Sequence, residues 1–280
     1  MSNAPVVTMV FALNCEARPW IDALKLKKSD ARPFDLYTGD SIEMVISGIG
    51  SESMATAVGW IAGRSPKSRV WLNVGTAGHA TRDLGELFLV HGCAASAAGR
   101  AHYPPLVATW SGSTDALLCV DHVSDQYPGG AAVDMESMAF FNAAMRFSNS
   151  ELVQSMKVVS DNEQSGVEHL NSKRITELMQ PHVDAVMRYA ANLLSLVPAS
   201  FSVTTVLDLE SLRASHSIKQ QIQRALHQLA ALDVDAERVS DVLQDQTNAR
   251  DMLTRLQALV SNTAPMLGST KGVVKEATNG

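Results

Sequence analysis

The sequence has few cysteines, and its basic residues form no clusters. Its three cysteines, Cys15, Cys93 and Cys119, are odd in number and far apart, and its lysines and arginines are scattered over a chain of net charge −6. Such a set of cysteines excludes a disulfide framework and a paired-cysteine zinc site, and it suits a reducing cytoplasm. An acidic chain without a basic run is a poor partner for nucleic acid or an anionic membrane. We therefore expect a cytoplasmic protein that binds neither.

Long hydrophobic runs are missing as well. The apolar start, VVTMVFAL from Val6, is only eight residues long and follows no positively charged segment. A membrane span needs roughly 20 apolar residues, and a secretory signal begins with basic residues. We interpret this segment as a buried strand.

Short apolar runs alternate with helix-like stretches over most of the chain. The runs end in Gly, Ser, Asp or Asn, which is typical of strands that are buried on both faces and lead into functional loops. Such alternation predicts an α/β fold in which helices cover both faces of a sheet. The predicted strands begin at Val6, Glu43, Val70, Glu86, Ala116, Ala131 and Met156, and the predicted helices span residues 17–28, 52–62, 137–147 and 167–196.

Glycine, proline and aromatic residues nearly vanish near the C-terminus. Residues 201–263 contain neither Gly nor Pro, and Phe201 is the only aromatic residue beyond position 200. Apolar residues there recur at helical spacing, which predicts three or four helices that make protein contacts. The predicted division is a main domain over residues 1–198, an all-α appendage over residues 199–264 and a disordered tail over residues 265–280.

Four predicted strands are followed by residues that suit a binding site. These are Glu16, the NVGTAGH turn from Asn73, the pair Met135 and Glu136, and Asp161. Taken singly, each has an ordinary explanation, such as a first-turn helix charge, a strand-to-helix turn or a helix cap. Because strand ends converge on one crevice in open α/β sheets, the four together predict one site. The absence of Gly-Lys-Ser/Thr and of a three-glycine fingerprint excludes a Walker loop and a dinucleotide loop.

Five segments, taken in order, resemble one known family, the nucleoside phosphorylase and nucleosidase superfamily. That family includes purine nucleoside phosphorylases, 5′-methylthioadenosine/S-adenosylhomocysteine nucleosidases and futalosine hydrolases. The resemblance covers roughly residues 5–196 and implies a three-layer αβα sandwich with a mixed central sheet. The segments are ALNCE, SGIGSESMATAV, NVGTAGHATRDLGEL, AVDMES and VVSDN, which begin at residues 12, 47, 73, 132 and 158.

The resemblance implies cleavage of the N-glycosidic bond of a purine nucleoside or a 5′-substituted adenosine, with no metal and no organic cofactor. It also implies that Met135 and Glu136 hold the ribose and that Asp161, which follows Ser160, protonates the leaving base. A positioned acid of this kind contributes a factor of about 10² to 10⁴ to the rate. Glu16 matches the glutamate that positions water in the hydrolytic branch of the family.

The resemblance leaves two nucleophiles, water and phosphate. Phosphorylases of the family typically place an arginine just before the glycine-containing turn, whereas this chain has Leu72-Asn73-Val74, as in the hydrolytic branch. We therefore favour hydrolysis and keep phosphorolysis as the alternative, because Arg18 lies close to Glu16 in sequence. The pocket for water or an anion is expected to be lined by Thr76, Ala77, Gly78 and Arg18.

The chain departs from the family between Val90 and Gly130, where the segment before the Met-Glu pair is short. Base specificity has no secure position there, and Ser160 and Tyr103 are the candidate base contacts. The histidines near the strand edges lack the local spacing of a metal site, so no metal is expected. Family members are oligomers, which implies a homo-oligomer, with a dimer favoured. A noncatalytic nucleoside-binding or scaffold protein with a degenerate site is the alternative from another class.

Overall fold

The computed structural model describes residues 6–64, 69–95, 101–123, 127–197, 207–209, 211–232, 234–244 and 248–263. The chain divides into two compact units, Met1–Val197 and Pro198–Gly280. The predicted tail, residues 265–280, lies outside the described residues.

The described part of the first unit contains one mixed sheet of ten strands. Each predicted strand has a counterpart that begins within a few residues of the expected position. Three further strands, the second, third and seventh, are too short to give a clear alternating pattern in the sequence. The strands are β1 (Val6–Phe11), β2 (Lys27–Lys28), β3 (Asp35–Thr38), β4 (Ile42–Ile46), β5 (Arg69–Gly78), β6 (Leu87–Ala95), β7 (Ala101–His102), β8 (Ser113–Cys119), β9 (Ala132–Asp134) and β10 (Val153–Asp161).

Strand pairing brings the ends of several strands to one edge of the sheet. The strands β4, β1, β5 and β10 are neighbours in this order and all run parallel. β10 pairs antiparallel with β6, and β6, β8 and β9 follow in parallel. Val133 of β9 then pairs with Gly78 of β5, so that β5, β10, β6, β8 and β9 close into a ring. The carboxyl ends of β1, β5 and β10 therefore meet, and β9 reaches the same edge.

The described residues of the first unit form five α-helices: α1 (Asn14–Ala23), α2 (Ser51–Arg64), α3 (Ser137–Ala144), α4 (Ser172–Met179) and α5 (Val183–Leu194). The helix predicted over residues 17–28 begins earlier and ends at Ala23, and the lysines at its predicted end form β2 instead. The helix predicted over residues 167–196 is two helices, because Pro181 lies in a 3-10 turn that separates α4 from α5.

Apolar side chains of the central strands alternate between two cores. Val7, Met9 and Phe11 of β1 pack with residues of α1, α4 and α5. Val10 points the other way and packs with residues of α2 and α3. This alternation has the period of two that a strand imposes on its side chains. The predicted three-layer αβα sandwich with a mixed sheet is therefore confirmed.

The described part of the second unit consists of three helices, α6 (His216–Ala231), α7 (Ala236–Leu243) and α8 (Ala249–Thr263). Ser215 and Asp235 cap the starts of α6 and α7 by accepting hydrogen bonds from backbone amides. The predicted C-terminal helical region is thus confirmed, and no helix in the described ranges is long and apolar enough to cross a membrane. The hydrophobic core of the second unit includes Ile222, Leu226, Leu229, Val239 and Leu256.

Leu226 tests whether this core stabilises α6. It is fully buried, whereas Gln223 on the same helix is exposed. We expect Leu226→Ala to lower the free energy of unfolding of α6 by about 2–5 kcal/mol, because it leaves a cavity. The matched control Gln223→Ala is expected to change it by less than about 0.5 kcal/mol. Hydrogen exchange of the α6 amides measures both, and equal protection in the two variants would contradict the described packing.

Candidate active site

Glu16 connects the end of the first strand to the end of the fifth. It lies in the first turn of α1, where its Oε2 accepts a hydrogen bond from the Leu13 amide at 2.9 Å. Its Oε1 accepts from both the amide and the hydroxyl of Thr76, each at 2.8 Å. Glu16 is therefore a helix-start carboxylate and at the same time a buried acceptor at the edge of the sheet.

Glu136 occupies the junction between β9 and α3 and is buried. Its Oε1 accepts a hydrogen bond from the Gly50 amide at 2.6 Å, and the Ser51 hydroxyl donates to the carbonyl of Met135 at 3.1 Å. Gly50 has a φ of +96°, a conformation that glycine adopts without strain. The segments around residues 47–58 and 132–137 are thus joined through the glutamate and its neighbour.

Asp161 ends β10 and is also buried. The hydroxyl of Ser160 donates to its Oδ1, and the phenol of Tyr127 donates to its Oδ2 at 2.7 Å. The amide of His79 donates to the backbone carbonyl of Asp161 at 3.0 Å, which fixes the strand end against β5. A Cβ at Gly78 would lie only 2.6 Å from Asp161 Oδ2, so the carboxylate occupies space that only glycine leaves open at that position.

Lys157 is a buried cation that interacts with Asp134, Glu136 and Glu16. Its side chain is 2% exposed, and its Nζ lies 2.8 Å from Asp134 Oδ2. A Cβ at Gly75 would meet Glu16 Oε1 at 3.1 Å and Lys157 Nζ at 3.4 Å, so both groups lie over the same glycine. Lys157 and Asp134 are not among the site residues predicted from the sequence. The available signal was a lysine inside the apolar strand MKVVSD, because a charge buried in a strand requires a partner.

The charges around Lys157 set the protonation behaviour of this cluster. Burial alone would lower the pKa of Lys157, but Asp134 and Glu136 oppose this effect, and the net result is a raised pKa. Burial raises the pKa of Glu136, and the attraction of Lys157 only partly offsets the rise. Lys157 is therefore held as an ammonium ion, and Glu136 gives up its proton less readily than an exposed glutamate.

A polar network beneath the cluster fixes the strands that carry it. Asn73 of β5 donates to the carbonyl of Val10 at 3.2 Å and accepts from the hydroxyls of Ser137 and Ser155. The amide of Ser137 also donates to Asp134 at 3.0 Å. Through these bonds β1, β5, β10 and the start of α3 share one buried network, which limits relative movement of the groups above it.

The remaining predicted site residues occupy different positions. Thr76 and Gly78 contact Glu16 and Asp161, and Ala77 between them is buried. The Nε of Arg18 instead bonds Asp22 at 2.8 Å with 57% of its side chain exposed, so Arg18 is directed along the outer side of α1. The contact with Asp22 does not support a place for Arg18 in the pocket, which stays a prediction.

Tyr103 also lies apart from the carboxylates. It is 72% exposed, and its ring lies against Gly92 of β6, where an added Cβ would meet it at 3.1 Å. Ser160 uses its hydroxyl on Asp161 and on the carbonyl of Ala77. As base contacts, Tyr103 and Ser160 stay predictions.

Histidine and cysteine chemistry has little support at this edge. The Nδ1 of His79 accepts from the amides of Thr81 and Arg82, and its Nε2 lies 3.3 Å from Asp115, so both ring nitrogens have partners. Burial raises the pKa of the Cys119 thiol to about 12, which leaves it protonated and unreactive. Within the described ranges, no three His, Cys, Asp or Glu residues are grouped as metal ligands. The chemistry of the edge is that of carboxylates, hydroxyls and one ammonium.

Comparison with known proteins gives a fold but no close relative. No protein-family model and no curated protein sequence matches the chain. Among solved structures, a 5′-methylthioadenosine/S-adenosylhomocysteine nucleosidase from Colwellia psychrerythraea, in complex with adenine, is 16% identical with a TM-score of 0.54, covering 69% of this chain and 96% of its own. The 5′-methylthioadenosine nucleosidase of Arabidopsis thaliana is 15% identical with a TM-score of 0.52. The similarity covers 70% of this chain and 97% of the Arabidopsis chain.

A third similar structure is a futalosine hydrolase mutant from Helicobacter pylori, which is 10% identical with a TM-score of 0.52 over 67% of this chain and 99% of its own. All three proteins are members of the nucleoside phosphorylase and nucleosidase superfamily. The chain therefore has the fold of that superfamily, as its sequence segments predict, and this fold places the buried carboxylates at the sheet edge.

The raised pKa of Glu136 gives a test of the buried charge. The folded protein holds the Glu136 proton more firmly than the unfolded chain, so ionisation destabilises the fold as the pH rises above the ordinary value of 4.5 and through the raised pKa. Glu136→Gln keeps an acceptor for the Gly50 amide but does not ionise. We expect its stability relative to wild type to increase from about pH 4 to about pH 7, measured by urea unfolding.

Glu177→Gln is the matched control, because Glu177 is exposed on α4. Its stability relative to wild type is expected to change little over the same pH range. A relative stability of Glu136→Gln that fell with rising pH would show that Glu136 is stabilised by ionisation, contrary to the burial described above.

Proposed function

We propose that this protein hydrolyses the N-glycosidic bond of a purine nucleoside or a 5′-substituted adenosine. The observation that carries the proposal is that three buried carboxylates, Glu16, Glu136 and Asp161, lie at one edge of the sheet, with the buried Lys157 beside Glu16 and Glu136. The solved structures with the same fold support it, because two of them are nucleosidases and one of these is in complex with adenine.

The ribose is held in this proposal by Glu136 and Met135. A carboxylate is an acceptor for the two neighbouring hydroxyls of a ribose, and the thioether of Met135 offers an apolar surface for the sugar ring. The Gly50 amide fixes one oxygen of Glu136, which leaves the other oxygen for the sugar.

The N-glycosidic bond is broken with Asp161 as general acid and Glu16 as general base on opposite sides of the anomeric carbon. The electron pair of the C1′–N bond passes to the purine, and Asp161 gives a proton to a ring nitrogen of the leaving base. A water molecule forms the new C1′–O bond and loses its proton to Glu16. The products are a free purine and a free sugar, and both carboxyl groups return to their starting states by exchanging protons with solvent.

The contacts of Thr76 favour water over phosphate as the nucleophile. A phosphate needs hydrogen-bond donors and cations, but the amide and hydroxyl of Thr76 are engaged by Glu16. Lys157 is paired with Asp134, and Arg18 is directed to Asp22. An incoming dianion would face Glu16 across this space, which is unfavourable for like charges.

A homodimer stays a prediction from the family resemblance.

Release of free base from nucleosides tests this function directly. We expect wild-type protein to release base from at least one of adenosine, inosine, 5′-methylthioadenosine, S-adenosylhomocysteine and 5′-deoxyadenosine without added phosphate, as detected by chromatography. Asp161→Asn and Glu16→Gln are each expected to lower the rate by a factor of about 10² to 10⁴. Glu177→Gln and Asp184→Asn, which replace exposed carboxylates on α4 and α5, are the controls and are expected to keep the wild-type rate.

Other outcomes of this experiment would change either the proposed function or the proposed roles of the residues. Release that required phosphate would establish phosphorolysis. No release combined with measurable nucleoside binding would establish a noncatalytic binding protein. Full activity of both Asp161→Asn and Glu16→Gln would remove the acid and base roles given to these residues.

A further inference from the structure

Asp161 receives one hydroxyl donor on each carboxyl oxygen. Ser160, its neighbour in the chain, donates to Oδ1, whereas Tyr127 donates to Oδ2 at 2.7 Å from a segment 34 residues away. The sequence signalled the Ser-Asp pair, but nothing in the pattern around Tyr127 connected it to the site. The contact is a consequence of the fold, since it joins the approach to β9 with the end of β10.

The position of the Tyr127 ring depends on Gly78. An added Cβ at Gly78 would lie 2.6 Å from Tyr127 Cε1 and 2.6 Å from Asp161 Oδ2. Such a distance is far inside van der Waals contact, so the phenol and the carboxylate both rest directly on the glycine backbone. Tyr127 is itself partly buried. The end of β5 therefore accommodates the pair Tyr127 and Asp161 as one packed unit.

A phenol donor on this carboxyl group has a definite effect on proton donation. While Asp161 holds its proton the group is neutral, and once the proton has passed to the leaving base the group is a carboxylate. Hydrogen bonds to a charged acceptor are shorter and stronger than those to a neutral one. A fixed donor directed at the oxygen where charge develops thus stabilises the transition state more than the ground state.

We propose that Tyr127 is a positioning residue that holds Asp161 and stabilises the carboxylate formed when Asp161 protonates the leaving base. This inference rests on the proposed function. In the step concerned, the C1′–N electron pair passes to the base, the Asp161 proton passes to a ring nitrogen, and the negative charge left on Asp161 is shared with the Tyr127 and Ser160 hydrogen bonds. Tyr127 keeps its own proton throughout.

The choice of leaving group separates this role from a merely structural one. A purine leaves readily only when it is protonated, so its departure depends on Asp161. 4-Nitrophenolate is a stable anion that leaves without a proton, so cleavage of 4-nitrophenyl β-D-riboside depends on Glu16 and Glu136 but little on Asp161. Replacing a residue that acts only through Asp161 therefore lowers the rate of nucleoside cleavage and leaves the rate of nitrophenyl riboside cleavage unchanged.

The experiment compares Tyr127→Phe with wild type on both kinds of substrate. The nucleoside is whichever of the five tested nucleosides the wild type cleaves fastest. We expect kcat for the nucleoside to fall about 10- to 100-fold with KM little changed, which is the effect of losing one hydrogen bond to a charged group. We expect the rate on the nitrophenyl riboside to stay at the wild-type value.

Tyr189→Phe is the matched control. It also removes one buried phenol hydroxyl, which has no hydrogen-bond partner in the described structure, from the core side of α5. This variant is expected to cleave both substrates at wild-type rates. Thermal unfolding of the three proteins checks that none of the variants has lost its fold.

Three results would overturn the role of Tyr127. Equal losses on both substrates would mean that the residue only supports the structure of the site. Unchanged rates on both would mean that the hydrogen bond contributes nothing to catalysis, and faster nucleoside cleavage would mean that the phenol competes with the base for Asp161. In each case a wild type active on the nucleoside keeps the proposed function, whereas a wild type that cleaved none of the five nucleosides would overturn the function and the inference together.

Discussion

The ion pair between Lys157 and Asp134 is the interaction on which the arrangement of the site depends. Burying two ions costs several kcal/mol for each, and their attraction offsets this cost only where other hydrogen bonds complete the geometry. Here Asp134 also accepts a hydrogen bond from the Ser137 amide. Burial lowers the pKa of Lys157, but Asp134, Glu136 and Glu16 together raise it by more. Without this cation, the carboxylates of Asp134, Glu136 and Glu16 would lie at a buried edge with no opposing charge.

The register of the sheet converts that charge balance into a site. Parallel pairing of β1, β5 and β10 fixes where their carboxyl ends meet, and closure of the ring brings β9 to the same edge. Gly75 and Gly78 leave room where side chains from α1, from β10 and from the segment before β9 lie over β5. At Gly78 an added Cβ would lie 2.6 Å from both Asp161 Oδ2 and Tyr127 Cε1, so these groups would have to move, whereas at Gly75 it would make a tight contact of 3.1 Å with Glu16 Oε1.

The sequence predicted the layers and the segments of the site because both leave local signals. Buried strands appear as apolar runs, and Glu16, Glu136 and Asp161 each follow one. Tyr127 was missed because its partner is distant in sequence and no local pattern reports a long-range contact. Lys157 left a local signal, a lysine inside an apolar strand, but that signal does not identify its partners. The predicted role of Arg18 rested on its nearness to Glu16 in sequence, but on a helix the i, i+4 contact with Asp22 directs it away.

The origin of the oxygen added to the sugar tests the central claim most directly. The claim is that the buried carboxylates activate water and not phosphate, and a reaction in ¹⁸O-labelled water with phosphate present measures it by mass spectrometry of the sugar product. The account predicts a free sugar carrying one ¹⁸O atom at its anomeric carbon when the product is trapped before exchange. A sugar phosphate, or a free sugar without the label under the same trapping, would contradict it.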